Sequence, residues 1–70
     1  MEINERQRSL LKTIRPGEAT NMTKYRKEFA KEVKERQART DLRELVDLGY
    51  LRVRGKGRAT EYVRAEREFT

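Results

Sequence analysis

The sequence predicts an α+β fold in which three short helices are followed by a two-stranded β-hairpin. Three observations carry that expectation. Apolar residues recur at helical spacing, Leu10, Leu11 and Ile14 early in the chain and Ala38, Leu42, Leu45 and Val46 later. After Gly49 the pattern changes to strict alternation, Leu51 and Val53 against Arg52 and Arg54. Pro16-Gly17, Gly49 and Gly55-Lys-Gly57 stand at the places where such a chain must turn.

Seventy residues fit a single domain, 1–70, with its ordered core expected over 4–63 and a tail over 64–70 that is frayed or forms a short extra helix. Folding a chain this short hides only about 60% of the surface exposed when unfolded. With 34% hydrophobic residues there is material for one small core and none for a deep substrate cavity. The 43% charged fraction is high, but disordered chains lack periodic apolar residues of this kind.

The first helix is expected over 4–15, with Asn4 as N-cap, Glu5 in the first turn and Gln7 on the apolar face. Pro16-Gly17 stops it, because proline disfavours helix in the residue before it. Residues 18–21 read as a connector. The second helix starts near Met22, capped by Thr23, and runs to Phe29 or Ala30 with Met22, Tyr25 and Phe29 on one side. Lys24, Arg26, Lys27 and Lys31 form a solvated face, or supply one or two phosphate contacts. Val33 is the lone apolar residue of the next stretch and is expected to plug a turn between helices into the core. Lys34 stands where a capping Ser, Thr or Asp would be favoured, so one unbroken helix over 23–48 is an open alternative.

The third helix, 34–48, has Ala38, Leu42, Leu45 and Val46 on its inner stripe. Arg36, Thr40 and Arg43 lie opposite, with Arg39 beside them. Gly49 ends the helix as its left-handed residue. Glu44 and Asp47 fall in the last two turns, so that half of the helix is not expected to face a polyanion. The hairpin follows, its strands joined by the short turn Gly55-Lys-Gly57, with Thr60 and Tyr62 alternating against Glu61 and Val63 on the return.

The net charge is +6, from 18 basic and 12 acidic residues, which favours a polyanionic partner. Between residues 48 and 60 stand Arg52, Arg54, Lys56 and Arg58 and no acid. Protection of a sheet edge would explain one or two of these cations and accounts poorly for four. On the third helix, Arg36, Gln37, Arg39, Thr40 and Arg43 carry donors and acceptors that suit base edges in the major groove. The plainer account is that they keep a two-sided helix soluble. Taken with the hairpin they point to double-stranded DNA, with the hairpin cations on the backbone or in the minor groove.

The chain has no Cys and no His, which removes thiolate and imidazole metal ligands and the commonest general base. Ser9, the lone serine, has neither to activate it, and Gly55-Lys-Gly57 lacks the rest of a phosphate-binding loop. The carboxylates read as surface ion pairs. No enzyme activity, metal or cofactor is therefore expected. Tyr25, Tyr50 and Tyr62 are expected in the core or at its rim rather than as stacking platforms. No apolar run approaches the ~18 residues of a membrane span, and no signal-peptide core follows the start, so a cytoplasmic location is expected.

The segment Ala38-Arg-Thr-Asp-Leu-Arg-Glu-Leu-Val-Asp-Leu-Gly-Tyr-Leu51, followed by Gly55-Lys-Gly-Arg-Ala-Thr-Glu-Tyr-Val63, resembles the winged helix-turn-helix family. That family includes DeoR-type bacterial regulators and the C-terminal winged-helix domains of Fic proteins and AlbA-like regulators. The opening Asn4-Glu-Arg-Gln, with Leu10-Leu11 after it, is similar to how such domains begin. The resemblance implies that the third helix is a recognition helix and that Gly55-Lys-Gly-Arg58 is a wing tip. Gln37 and Thr40 depart from the family's usual Thr and Arg, and Lys34 from its common Ser cap. It also implies that the module is often part of a larger protein, here an excised domain. The alternative is a winged helix that binds a protein partner and has little affinity for DNA; a third expectation is RNA. A homodimer would supply two half-sites, but only Ile3 and Phe69 suggest apolar contact surface for one.

Overall fold

Asn4 opens the first helix through a reciprocal cap. Its side chain accepts from the Gln7 N–H at 2.9 Å, and the Gln7 side chain accepts from the Asn4 N–H at 2.8 Å. Helix α1 (Glu5–Thr13) follows and ends with Ile14 already extended. The computed structural model describes residues 3–68; Phe69 lies outside them.

The expected connector over 18–21 is instead a strand, β1 (Ala19–Thr20). It pairs antiparallel with β3 (Glu61–Arg64), Ala19 opposite Val63 and Thr20 opposite Tyr62. Gly17 donates to the Arg64 carbonyl at 2.8 Å, and Arg64 to the Glu18 carbonyl at 2.7 Å. Two residues are too few to show alternation, so only the pairing reveals the strand.

Helix α2 (Met22–Glu28) is capped by Asn21, whose side chain accepts from the Lys24 N–H at 2.8 Å; Thr23, the expected cap, lies inside the helix. The chain then turns, and Val33 packs against the core as expected. Helix α3 (Glu35–Asp47) starts after Lys34, which makes no side-chain capping bond. The two helices are therefore separate. A rod over 23–48 would be about 39 Å long, against a largest molecular dimension of 27 Å. Folding back lets Tyr25 from α2 reach the same core as Ala38, Leu42 and Leu45 from α3.

Helix α3 ends at Gly49, φ 85°, with Tyr50 donating to the Leu45 carbonyl at 2.9 Å and Gly49 to that of Val46 at 3.0 Å. This pair of bonds satisfies carbonyls that the last turn would otherwise leave open. Strand β2 (Leu51–Arg54) pairs with β3, which gives a three-stranded antiparallel sheet in the order β1-β3-β2. The core joins Leu10 and Leu11 of α1 to Tyr25, Ala30, the α3 stripe and Leu51. Only Leu51 of β2 is buried, and Val53 is 53% exposed because the hairpin runs on past the core.

Two features of the C-terminal third differ from expectation. The connection between β2 and β3 is longer than a three-residue turn and contains a 3-10 turn at Gly57–Ala59, closed by the Thr60 hydroxyl donating to the Gly57 carbonyl at 2.8 Å. The tail is tied down as far as Arg67 rather than frayed from residue 64. Ala65 donates to the Tyr50 carbonyl at 2.9 Å, and the Arg64 guanidinium donates to the carbonyls of Ala65 at 2.7 Å and Arg67 at 2.9 Å. The Arg67 guanidinium lies 4.7 Å from the Tyr50 ring centre and donates to the Leu48 carbonyl at the end of α3.

Gly55 sits at φ 80°, and a Cβ there would run into the Ala59 carbonyl. Gly55→Ala is therefore expected to destabilise the protein by about 1–3 kcal/mol, read as a lower midpoint in thermal unfolding, with fastest amide exchange over residues 55–60.

Candidate nucleic-acid interface

The orientation of α3 is set by a buried carboxylate. Asp41 lies one helical turn from Ala38 and Leu45, on the inner stripe, and is fully buried. The expectation that the carboxylates are surface ion pairs fails here. A buried carboxylate persists only when charge and hydrogen bonds replace its water, and four side chains do so. The Arg6 guanidinium donates through Nε to Oδ2 at 2.7 Å and through Nη2 to Oδ1 at 3.1 Å. The Tyr25 hydroxyl donates to Oδ2 at 2.8 Å, Asn4 Nδ2 to Oδ1 at 2.9 Å and Gln37 Nε2 to Oδ1 at 3.0 Å. Gln7, also buried, gives Nε2 to the Asp41 carbonyl at 2.9 Å and to Glu44 at 3.0 Å. The start of α1, the middle of α2 and the first half of α3 thus meet at one anion.

Burial pushes the Asp41 carboxyl upward, but the bonds from Arg6, Gln37, Tyr25 and Asn4 outweigh it and hold it below its ordinary 3.8. Burial, with the Asp41 contact adding to it, raises the Tyr25 phenol well above 10. The hydrogen bond to Asp41 likewise raises the Arg6 guanidinium.

With the inner face so occupied, α3 exposes Arg36, Gln37, Arg39, Thr40 and Arg43. They are not equally available. Gln37 is bonded to Asp41, Thr40 Oγ1 donates to the Arg36 carbonyl at 3.1 Å, and Arg39 donates to Glu35 at 2.8 Å. Arg36 and Arg43 make no side-chain hydrogen bond or ion pair among the described residues.

The hairpin cations divide as well. The expectation of four without a counter-charge fails at Arg54, which is held across the hairpin by Glu61 at 2.8 Å and 3.1 Å; Glu61 lies just past the acid-free window of sequence. By register, Arg52 and Arg54 share a sheet face with Val63 and Glu61, while Leu51 and Tyr62 point toward the helices. Arg52 accordingly borders the Pro16-Gly17 turn, away from α3. Lys56 and Arg58 lie on the exposed connection between the strands.

Arg39 and Arg58 meet in one open cleft of about 570 Å³. The start of α2, at Asn21, Met22 and Thr23, forms one wall, and Glu35 with Arg39 forms the second. Gly57, Arg58, Thr60 and Tyr62 of the hairpin close the third side. Sequence reasoning passed over Glu35 and Asn21; their signal was position, each standing at the first turn of a helix that borders this cleft. Among the described residues, no helix is long and apolar enough to cross a membrane. Compared with known proteins, the chain matches no family model, no curated protein and no solved structure.

Asp41→Ala leaves five donor groups on four side chains without their acceptor, and breaking a buried pair of this kind costs about 3–5 kcal/mol, measurable by urea unfolding. Because the folded state lowers the Asp41 pKa, its contribution is present above the unfolded value near 3.8 and is lost as pH falls through the folded value. An acid titration of the wild type is expected to lose stability below about pH 4, and the Asp41→Asn variant to show a shallower loss there.

Proposed function

We propose that this domain is a winged helix that binds double-stranded DNA, with the first half of α3 in the major groove and the tip of the β2–β3 hairpin as its wing. The observation that carries the proposal is the cleft, where the start of α3 and the hairpin tip converge with Arg39 and Arg58 on its walls. Arg36 and Arg43 extend the cationic surface along α3, and Lys56 extends it at the tip. A net charge of +6 supplies the long-range attraction. Guanidinium groups suit this partner, since each can bond both acceptors of a guanine edge or a phosphate.

The geometry favours a smaller contact set than the nine residues of the sequence pattern. Arg36, Arg39, Thr40 and Arg43 serve as the groove-facing group, and Lys56 and Arg58 grip the backbone or minor groove. Gln37 supports α3 through Asp41. Arg52 and Arg54 belong to the outer sheet face, with Arg54 neutralised by Glu61.

Two measurements test the proposal. Neutralising four to six phosphates gives a slope of log K against log salt of about −4 to −5, measured by anisotropy with a random duplex; a flat salt response would refute it. The combined variant Arg39→Ala, Arg43→Ala, Lys56→Ala, Arg58→Ala is expected to lose at least about 100-fold in affinity while its thermal unfolding stays close to wild type. Capture of a protein partner with unchanged DNA affinity would instead favour a protein-binding winged helix.

A further inference from the structure

The cleft that would receive DNA contains an acid. Glu35 stands at the first position of α3, with its side chain 54% exposed, on the same wall as Arg39 and facing the hairpin residues Arg58 and Tyr62. Its carboxylate holds two guanidinium groups at once, Arg39 Nη2 at 2.8 Å on one oxygen and Arg26 Nη1 at 3.6 Å on the other. The bridge to Arg26 spans the turn between α2 and α3, so one carboxylate engages cations from both helices at the edge of the cleft wall that Glu35 and Arg39 form.

A helix start favours a carboxylate for its own sake, since Lys34 supplies no side-chain cap. That role asks only for negative charge near the first turn. It does not require a carboxylate that spans two helices and occupies the arginine best placed to contact DNA. In a surface built to hold phosphates, such a group opposes binding wherever the duplex offers only its backbone. Arg39 and Arg26 reach phosphate oxygens only by leaving Glu35, and Glu35 itself repels them. The carboxylate is compensated where it meets a donor in the groove; adenine and cytosine both present an exocyclic amino group there, but adenine's lies beside the acceptor N7, which repels a carboxylate, whereas cytosine's lies beside a C–H.

Resting on the DNA-binding reading of this cleft, we propose that Glu35 is a specificity-determining residue. It restrains Arg39 and Arg26 from indiscriminate phosphate contact and selects duplexes that place a cytosine amino group at the start of α3. Release of Arg39 at such a site frees its guanidinium for the neighbouring guanine edge. Glu35 thus trades affinity for any duplex against preference for G·C pairs.

The test uses the full chain and two 16-base-pair duplexes, one of A·T pairs only and one of G·C pairs only, followed by anisotropy over a range of salt. Wild type is expected to prefer the G·C duplex. Glu35→Ala removes the carboxylate without adding a base-reading group. It is expected to tighten binding to the A·T duplex about fivefold, the low end of a base-specific contact. The G·C preference should shrink by a similar factor, and the salt slope on A·T should steepen by about 1. Glu35→Gln, which keeps the shape and removes only the charge, is expected to steepen the slope in the same way. A merely structural role would lower the unfolding temperature and leave the preference and slope alone. Wild-type binding with either variant unchanged in both overturns the role of Glu35 while leaving the DNA reading intact. Failure of wild type and variants to bind either duplex at low salt overturns both.

Discussion

The fold depends on keeping one negative charge out of water. Asp41 is surrounded by donors from all three helices, and two of them, Asn4 and Arg6, stand 37 and 35 residues earlier in the sequence. A core cluster of seven aliphatic residues and Tyr25 has few ways to fix the angle at which helices cross. Hydrophobic contact is non-directional, whereas a carboxylate with five hydrogen bonds is satisfied in one arrangement only. The buried anion therefore supplies a geometric constraint that a domain of this size could not obtain from packing alone. It also fixes which side of α3 faces outward, because the residues opposite Asp41 have no other place to go.

From that constraint the surface follows. Once α3 is set, Arg36, Arg39 and Arg43 are turned to solvent, and the Gly49 turn delivers the hairpin beside them. The far end of the helix is closed by different means, with Arg67 stacked on Tyr50 and bonded to the Leu48 carbonyl. Positive charge at a helix C-terminus complements the dipole, so these tail cations serve the helix rather than a polyanion. The net charge of +6 is thus divided between cations that hold the protein together, such as Arg6, Arg54, Arg64 and Arg67, and a smaller set left available at the cleft.

That division explains what sequence could and could not reveal. The three helices, the stop at Gly49 and the plugging role of Val33 were legible because each is a local event: a cap, a breaker or a 3.6-residue period. Asp41 was also within reach, since its position on the stripe of Ala38, Leu42 and Leu45 marks it as inward, but a rule that carboxylates lie at the surface concealed it. The pairing of Arg54 with Glu61 was hidden because a cross-strand partner is separated by a turn whose length sequence did not settle. The strand at Ala19–Thr20 was not legible at all, for its only evidence is a partner near the other end of the chain. Of the site, residue types were readable and availability was not, since availability depends on what each cation meets in space.

That short strand has a consequence for how the chain acquires its structure. Ala19 and Thr20 find their ladder only on β3, which is also the central strand against β2. A chain emerging from the ribosome can form the individual helical turns early, but the joint between α1 and α2 stays unpaired until residues 61–64 have been made. Pairings so distant in sequence raise the contact order and slow folding relative to a helical bundle of the same length. Pairing of the N-terminal half thus waits on residues 61–64, however early its helices form.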